Sequence, residues 1–477
     1  MQASWRAHFF LPLLIGASSA SCGGGASNGH DAGADGTDGI GGTANLDDDS
    51  SDGDASASGT TASGTASASN DAGDTDADGS TSSYTTGDGD GDGDGDGDGD
   101  GDGDTDSGCP VVPGRQVYEF SVIWIANSPQ GTVSKIDTTT MTELARYRTG
   151  PTGQSDPSRT SVNLRGDVAV ANRSGSVVKI ATRLDDCEDR NGNGTIETSQ
   201  GPDDVLSWFE DECVLWYYDV PFVHNNHTGG PRAIAWDNGP NPDQCDPGPP
   251  RVWVGWRNQP SSDVVIHRID ADGNFDGEAT VPNWNGNWSH GTYGGATDAA
   301  GNFWGLGTRG TLVRVDAVTF DVDRWDNAQT NVVYGIALDA DGNPWLAGYD
   351  GLLWKFDVAT ETFEPKGPSG AARLRGLAID ASGMAWLAAN NSCALVQYDT
   401  VNEVVVESNI ALPGCSTPVG VSIDVDGYVW VVDQGSSRAY KVNPTTYEAP
   451  FLTGLVSPYT YSDMTGYGLS IVVPTPQ

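Results

Sequence analysis

The chain has 477 residues and a formal net charge of −42, with 24 basic side chains set against 66 acidic ones. That balance speaks against a nucleic-acid partner and against binding to anionic membranes through basic patches. Composition also divides the chain unevenly, because positions 23–108 are almost wholly Gly, Asp, Ser, Thr and Ala, and the aromatic repeats begin only beyond them.

Residues 1–22, MQASWRAHFFLPLLIGASSASC, carry one charge (Arg6), an apolar run from Phe9 to Ile15, and small residues up to Cys22. This is the layout of a secretory signal. The run falls short of the roughly 20 apolar residues of a membrane-spanning helix. Ala20, Ser21 and Cys22 resemble the bacterial lipobox, whose cysteine becomes the lipidated first residue, although Ser19 stands where that pattern usually has leucine. The resemblance implies an exported lipoprotein, periplasmic or at the cell surface, touching the membrane through its lipid on Cys22 alone.

Between Gly23 and Gly108 there are 22 Asp, no Glu, Lys or Arg, and one aromatic, Tyr84. A segment with so little to bury, and so much like charge, is expected to be a disordered tether. The Gly-Asp run lacks the large apolar residue that calcium-binding β-roll repeats require. Residues 109–477 then hold 44 acids and 23 bases, a formal charge of about −21.

Beyond the tether, Trp304, Trp345, Trp386 and Trp430 each follow a glycine by three residues, in GNFW, GNPW, GMAW and GYVW, and each glycine follows an aspartate by three. Asp-x-x-Gly is turn chemistry, with Asp capping the turn and Gly supplying positive φ, so the flanking apolar runs are expected to be paired strands. A second signature follows each hairpin, a basic or polar residue, an apolar one, then Asp or Asn: KID (135–137), RID (268–270), RVD (314–316), KFD (355–357), QYD (397–399) and KVN (441–443), with KIA (179–181) as a degenerate copy. That makes seven units. Inner strands are expected at SVNL (161), AIAWD (233), GGATD (294), GIALD (335), GLAID (376), GVSID (420) and GLSIV (468). The last has no Trp strand after it, while the Trp strand SVIWIAN (121) has no inner strand before it. A chain whose end completes its first sheet closes a ring without leaving an open edge. The fold expected is all-β, a single seven-bladed β-propeller over 109–477, with the repeated Trp as packing between blades.

The pattern Gly-apolar-x-apolar-Asp-x-x-Gly-x-x-Trp resembles streptogramin-lyase-like and NHL-like seven-bladed propellers over nearly all of 118–473. The resemblance implies the architecture, and for activity it leaves a choice. The lyases of that group depend on histidine and glutamate with a divalent metal on the face where inner strands begin, and no His or Glu occupies the equivalent ring positions here. His224, His227 and His290, in HNNH and WSH, could supply imidazoles from loops.

The second unit is interrupted by residues 185–213. Within it Asp189, Asn191, Asn193, Gly194, Thr195 and Glu197 follow the order of an EF-hand-type loop, with alternate side-chain oxygens, a turn glycine and a backbone carbonyl from Thr195. Position twelve is Gln200, so a closing acid would be Asp203 or Asp204. A structural calcium ion is the expectation. Six cysteines in an exported domain read as three disulfides: Cys187 with Cys213, Cys393 with Cys415 and, by elimination, Cys109 with Cys245.

The remaining candidate is the face where inner strands begin. Propeller symmetry would gather Ser158 and Arg159, Arg232, Tyr293, Tyr334, Arg375, Val419 and Tyr467 at the mouth of the central channel, with His224, His227, Trp284, Trp288, His290, Tyr459 and Tyr461 on loops entering the same face. Guanidinium groups among aromatics suit a polar or anionic ligand such as a sugar, a carboxylate or a peptide end. The function expected is therefore a non-enzymatic binding module for an unidentified ligand or surface partner, with a lyase-like or hydrolytic metal enzyme as the alternative.

Overall fold

The computed structural model describes residues 121–221, 227–237, 249–258, 261–284, 290–330 and 332–472. The expected signal, Cys22, the acidic tether and the Cys109–Cys245 pair lie outside them. The described residues form seven antiparallel sheets. Six have four strands in chain order and span 157–219, 234–281, 294–326, 333–368, 374–411 and 418–452, and the first, over 122–148, has three. The innermost strands of successive sheets lie side by side around an axis. The fold is a seven-bladed β-propeller.

The first blade borrows its innermost position from the far end of the chain. Pro458 bridges Asn127, the Tyr459 N–H donates to the Ala126 carbonyl at 2.9 Å, and the Trp124 N–H donates to that of Met464 at 3.0 Å. Thr460 sits between the neighbouring blades, its hydroxyl 3.2 Å from Thr160 of blade two and its carbonyl against Gly420 of blade seven, where a Cβ would come within 2.0 Å. Closure thus comes from the C-terminal end, through 458–464 and not through GLSIV. The GLSIV residues belong to a helix, Tyr467–Val472. A short apolar run without a turn signature can be either element, and here Asp463 starts the helix by accepting the N–H groups of Thr465, Gly466 and Leu469.

Each repeated aspartate has two functions. In the DAAG, DADG, DASG and DVDG turns, Oδ1 of Asp298, Asp339, Asp380 and Asp424 accepts two turn N–H groups at 2.8–3.1 Å, and the glycine sits at φ between +80° and +83°. Oδ2 accepts the indole N–H of the Trp six residues on, at 3.0, 2.9, 3.1 and 2.9 Å. The bond explains how an indole can be fully buried between blades, since an unpaired N–H there would cost about 1–3 kcal/mol.

The basic-apolar-acid signature completes the unit. Its cation lies directly across the ladder from the Trp, as Lys135 from Trp124, Arg268 from Trp253, Lys355 from Trp345 and Lys441 from Trp430. From there it reaches the turn aspartate, at 3.7 Å for Lys355 and Asp339 and 3.5 Å for Lys441 and Asp424. It also latches adjacent blades, because Lys135 donates to the Thr182 carbonyl, Arg268 to that of Ala317 and Lys441 to that of Thr138 at 2.7 Å. The Lys441 bond joins blade seven to blade one and so fastens the ring a second time.

Candidate functional site

The Asp-x-x-Gly turns occupy one end of the channel, and inner strands begin at the other. At that second end, Arg159 is fully buried, its guanidinium carbon 4.2 Å from the centre of the Tyr461 ring, 4.6 Å from Tyr293 and 5.3 Å from Tyr459. Its Nη1 donates to the Ser158 carbonyl at 2.8 Å. Arg375 donates from Nη1 to the Tyr461 hydroxyl at 2.8 Å and lies 5.4 Å over the Tyr334 ring. Arg232 lies 5.5 Å over Tyr293 and donates to the Thr228 carbonyl at 2.7 Å. Cation–π contact of this kind is stronger where water is excluded.

The tyrosines form one connected layer. The Tyr293 and Tyr459 hydroxyls share a 2.8 Å hydrogen bond, and Tyr293 packs on Tyr334 and Tyr461 at 5.2 and 6.2 Å. Burial pushes the Tyr461 phenol up to about 12 and holds Tyr334 far above the ordinary phenol range. Tyr461 and Tyr334 thus stay protonated and offer the arginines a quadrupole and lone pairs, with no formal negative charge.

Outside this layer is a rim in which Tyr349, His290 and Arg173 are half-buried and Arg373 is exposed. Tyr349 stacks on Tyr334 at 5.5 Å, with Arg373 5.4 Å above Tyr349. His290 meets Tyr293 edge-on at 5.4 Å, and Arg173, ion-paired with Asp156 at 2.6 Å, lies 5.4 Å over Tyr459. Below the tyrosines the channel narrows to a cavity of about 70 Å³, lined by Ser161, Ile234, Ile336 and Leu377 and bounded by Tyr461 and by Leu469 of the C-terminal helix.

Five of the expected ring residues, Arg159, Arg232, Tyr293, Tyr334 and Arg375, therefore converge, and His290 joins them. Tyr467 does not, since its hydroxyl accepts the Ala381 N–H at 3.0 Å in the turn end of blade six, at the opposite end of the channel. Its place is taken by Tyr459 and Tyr461, because 458–464 is the true inner segment of blade one. Val419 is core, packed with Tyr459, Tyr461 and Met464. Trp284 is also core, buried against Gly307 of the next blade. His227 opens the short helical turn His227–Gly229 beside Arg232, while His224 and Trp288 lie outside the described residues. Arg173, Tyr349 and Arg373 were not foreseen. The available signal was their position at strand ends facing the mouth.

No protein-family model matches the chain, and no curated protein does. Among solved structures it is similar to virginiamycin B lyase from Staphylococcus aureus, with 13% identity and a TM-score of 0.45 over 64% of this chain and 87% of that one. A streptogramin B lyase structure gives 15% and 0.48 over 66% and 88%, and the hydrazine synthase of Kuenenia stuttgartiensis gives 12% and 0.47 over 70% and 93%. The lyases belong to the group that the repeat pattern resembles. Likeness at this distance carries no argument about activity, and the fold stands on the strand order described above.

The insert is the second candidate. Cys187 and Cys213 are disulfide-bonded, as are Cys393 and Cys415, the pairs read from spacing. Asp189 accepts the N–H groups of Gly192 at 2.8 Å, Asn193 at 3.2 Å and Gly194 at 2.8 Å. The side-chain oxygens of Asn191 and Asn193 cap the loop at Asn193 and Thr195, at 3.0 and 2.7 Å. Both amides then converge on the Glu197 carboxylate at 2.7 and 2.8 Å, and the Asn193 and Asn191 bonds hold that exposed carboxyl below its usual range. The acid facing the loop is thus Glu197, whereas Asp204 accepts the Gln200 N–H at 3.0 Å. Among the described residues, the one group of three thiol, imidazole or carboxylate ligands close enough to share an ion is the bonded Cys393–Cys415 pair with Asp433.

Proposed function

We propose that the chain is an exported, lipid-anchored surface protein whose propeller is a non-enzymatic binding module, with its ligand taken at the channel mouth. The observation that carries this reading is the convergence of Arg159, Arg232 and Arg375 on one layer of tyrosines contributed by several blades. In a domain with a formal charge of about −21, a buried cationic aromatic layer beneath the channel mouth is the region suited to a polar or anionic ligand. The two disulfides fit an oxidising compartment, and Cys22 after small residues fits a lipid anchor.

The test is a ligand screen of the full chain with neutral glycans, acidic glycans and peptides with free carboxyl termini, repeated on Tyr349→Ala and Arg373→Ala. These rim residues are accessible enough to change without emptying the core. A ligand that loses about tenfold affinity, or roughly 1.4 kcal/mol, on either change supports the reading. Ligands found only at other surfaces would sink it. Elimination or hydrolysis of a screened ligand that depends on His290 and an added divalent ion would replace it with the enzyme.

The insert loop is proposed to hold a structural calcium ion through Asp189, Asn191, Asn193, Glu197 and the Thr195 carbonyl. What supports this is one loop closed by Asp189 in which the Asn191 and Asn193 amides converge on the Glu197 carboxylate. Extracellular calcium modules bind with constants of about 10⁻⁴–10⁻³ M, so 10 mM calcium should add roughly 1.4–2.7 kcal/mol. Thermal unfolding should rise by a few degrees with calcium and fall back on chelation. Equal shifts in wild type and Asp189→Ala would remove the site.

A further inference from the structure

We infer that the channel mouth holds a bidentate oxyanion, a carboxylate first among them, on the Nε–Nη2 edge of Arg159; this deepens the ligand-site reading above and rests on it. Tyr461 at 4.2 Å and Tyr293 at 4.6 Å pack against that guanidinium with their ring centres 6.2 Å apart, and Nη1 is satisfied by the Ser158 carbonyl. Nε and Nη2 are buried and make no hydrogen bond of ordinary geometry, Tyr293 being the side chain that comes nearest to bonding this guanidinium. These two N–H groups leave one edge of the guanidinium plane in parallel, the pair that grips two oxygens of a carboxylate or similar anion.

The charge balance points the same way. Arginine does not deprotonate, and a buried ion without a partner is among the costlier features a fold can contain. Among the described residues, neither Arg159 nor Arg375 has an ion pair, and Arg375 also leaves Nε without an acceptor. Tyr461 links the two, its ring against one guanidinium and its hydroxyl on the other. Burial keeps the Tyr461 and Tyr334 phenols protonated, so neither supplies the compensating charge. The rest of the propeller shows what compensation looks like here: Arg146, Arg251 and Arg268 are paired with Glu143, Asp237 and Asp276 at 2.5–3.0 Å.

An anion on Arg159 would bring the negative end of a larger ligand to the axis and leave its remainder to Tyr334, Tyr349 and His290 at the rim. Ligands carrying a carboxylate on a ring or at a chain end, acidic sugars and peptide C-termini among them, have that form.

The experiment is thermal unfolding and calorimetric titration of the full chain with sodium acetate and with sodium sulfate, against chloride at matched ionic strength. Saturable stabilisation by an oxyanion, weakened at least about tenfold by Arg159→Lys, is expected, because lysine keeps the charge and loses the fork, and a hydrogen bond to a charged group is commonly worth that factor. Acetate stronger than sulfate assigns a carboxylate, and the reverse assigns a tetrahedral oxyanion. Should Arg159→Lys fail to fold, wild-type crystals soaked in selenate and in bromoacetate decide: an anomalous peak from either anion beside Nε and Nη2 supports the site, and the absence of both overturns it. Identical shifts with acetate, sulfate and chloride overturn it as well. That result would leave the mouth available to a neutral ligand, which the neutral-glycan arm of the screen tests separately.

Discussion

The two ends of the channel use the same pairing, a cation set on an aromatic ring, with opposite electrostatic outcomes. At the turn end Lys355 and Lys441 lie across the ladder from Trp345 and Trp430, and the aspartate that accepts the indole N–H also faces the ammonium group. At the mouth Arg159 and Arg375 lie against Tyr461 and Tyr334, and the positive charge meets phenols. The first arrangement is electrically closed and recurs around the ring, as scaffold must. The second is open and occurs once, as a site would.

The contrast can be broken most forcefully at the turn end. Trp386→Ala removes a fully buried indole and strands the Asp380 oxygen that accepts its N–H. It should cost about 3–5 kcal/mol, read as a lowered urea midpoint with an unchanged slope. A cost near 1 kcal/mol would mean the Trp is not the inter-blade core described here.

A smaller effect sharpens the comparison by changing sign between the ends. Lys441→Met leaves the buried Asp424 without its cation and should cost roughly 3 kcal/mol, whereas Arg375→Met removes a buried cation that lacks a carboxylate and should be neutral or stabilising by about 1–2 kcal/mol in buffer free of oxyanions. Equal losses in the two variants would erase the distinction.

The smallest effect concerns acid. The Asp357 carboxyl is held below its ordinary range first by the Thr360 N–H, and that of Asp399 first by the Asn402 side chain. A depressed folded value means stabilisation fully present above the unfolded value near 3.9 and lost as pH falls through the folded one. Between about pH 4 and pH 2.5 amide exchange should therefore quicken first at the turn end. Asp399→Asn should flatten that limb, and an unchanged profile would show that these turns are not where acid acts.

The scaffold was legible in sequence because it repeats. Spacing from Asp to Gly to Trp identifies a hairpin in four units, and the basic-apolar-acid signature counts seven and so a ring, which let Arg159, Arg232, Tyr293, Tyr334 and Arg375 be placed at one mouth by symmetry alone. What does not repeat was harder to read. Tyr459 and Tyr461 lie in a segment that lacks the inner-strand glycine, although Asp463 and Gly466 keep the Asp-x-x-Gly spacing, while GLSIV has the apolar look of a strand and forms a helix. The double use of each turn aspartate was also hidden. It depends on an indole six residues away turning back over the hairpin, which spacing permits and only packing decides. Glu197 was legible from spacing as a loop ligand, whereas the meeting of both asparagine amides on it depended on how the loop folds back on itself.

The segment at 458–464 has a kinetic consequence. Blade one is made at the start of the propeller and finished by residues more than 300 positions later, so the sheet containing Trp124 stays incomplete until the end of the chain arrives. Contacts of such separation are formed late and slowly. A ribosome or export channel that releases the chain from its N-terminus must hold six complete blades and one unfinished one until its last residues emerge. Until then the exposed edge of Val122–Asn127 is open to pairing with any other extended chain nearby.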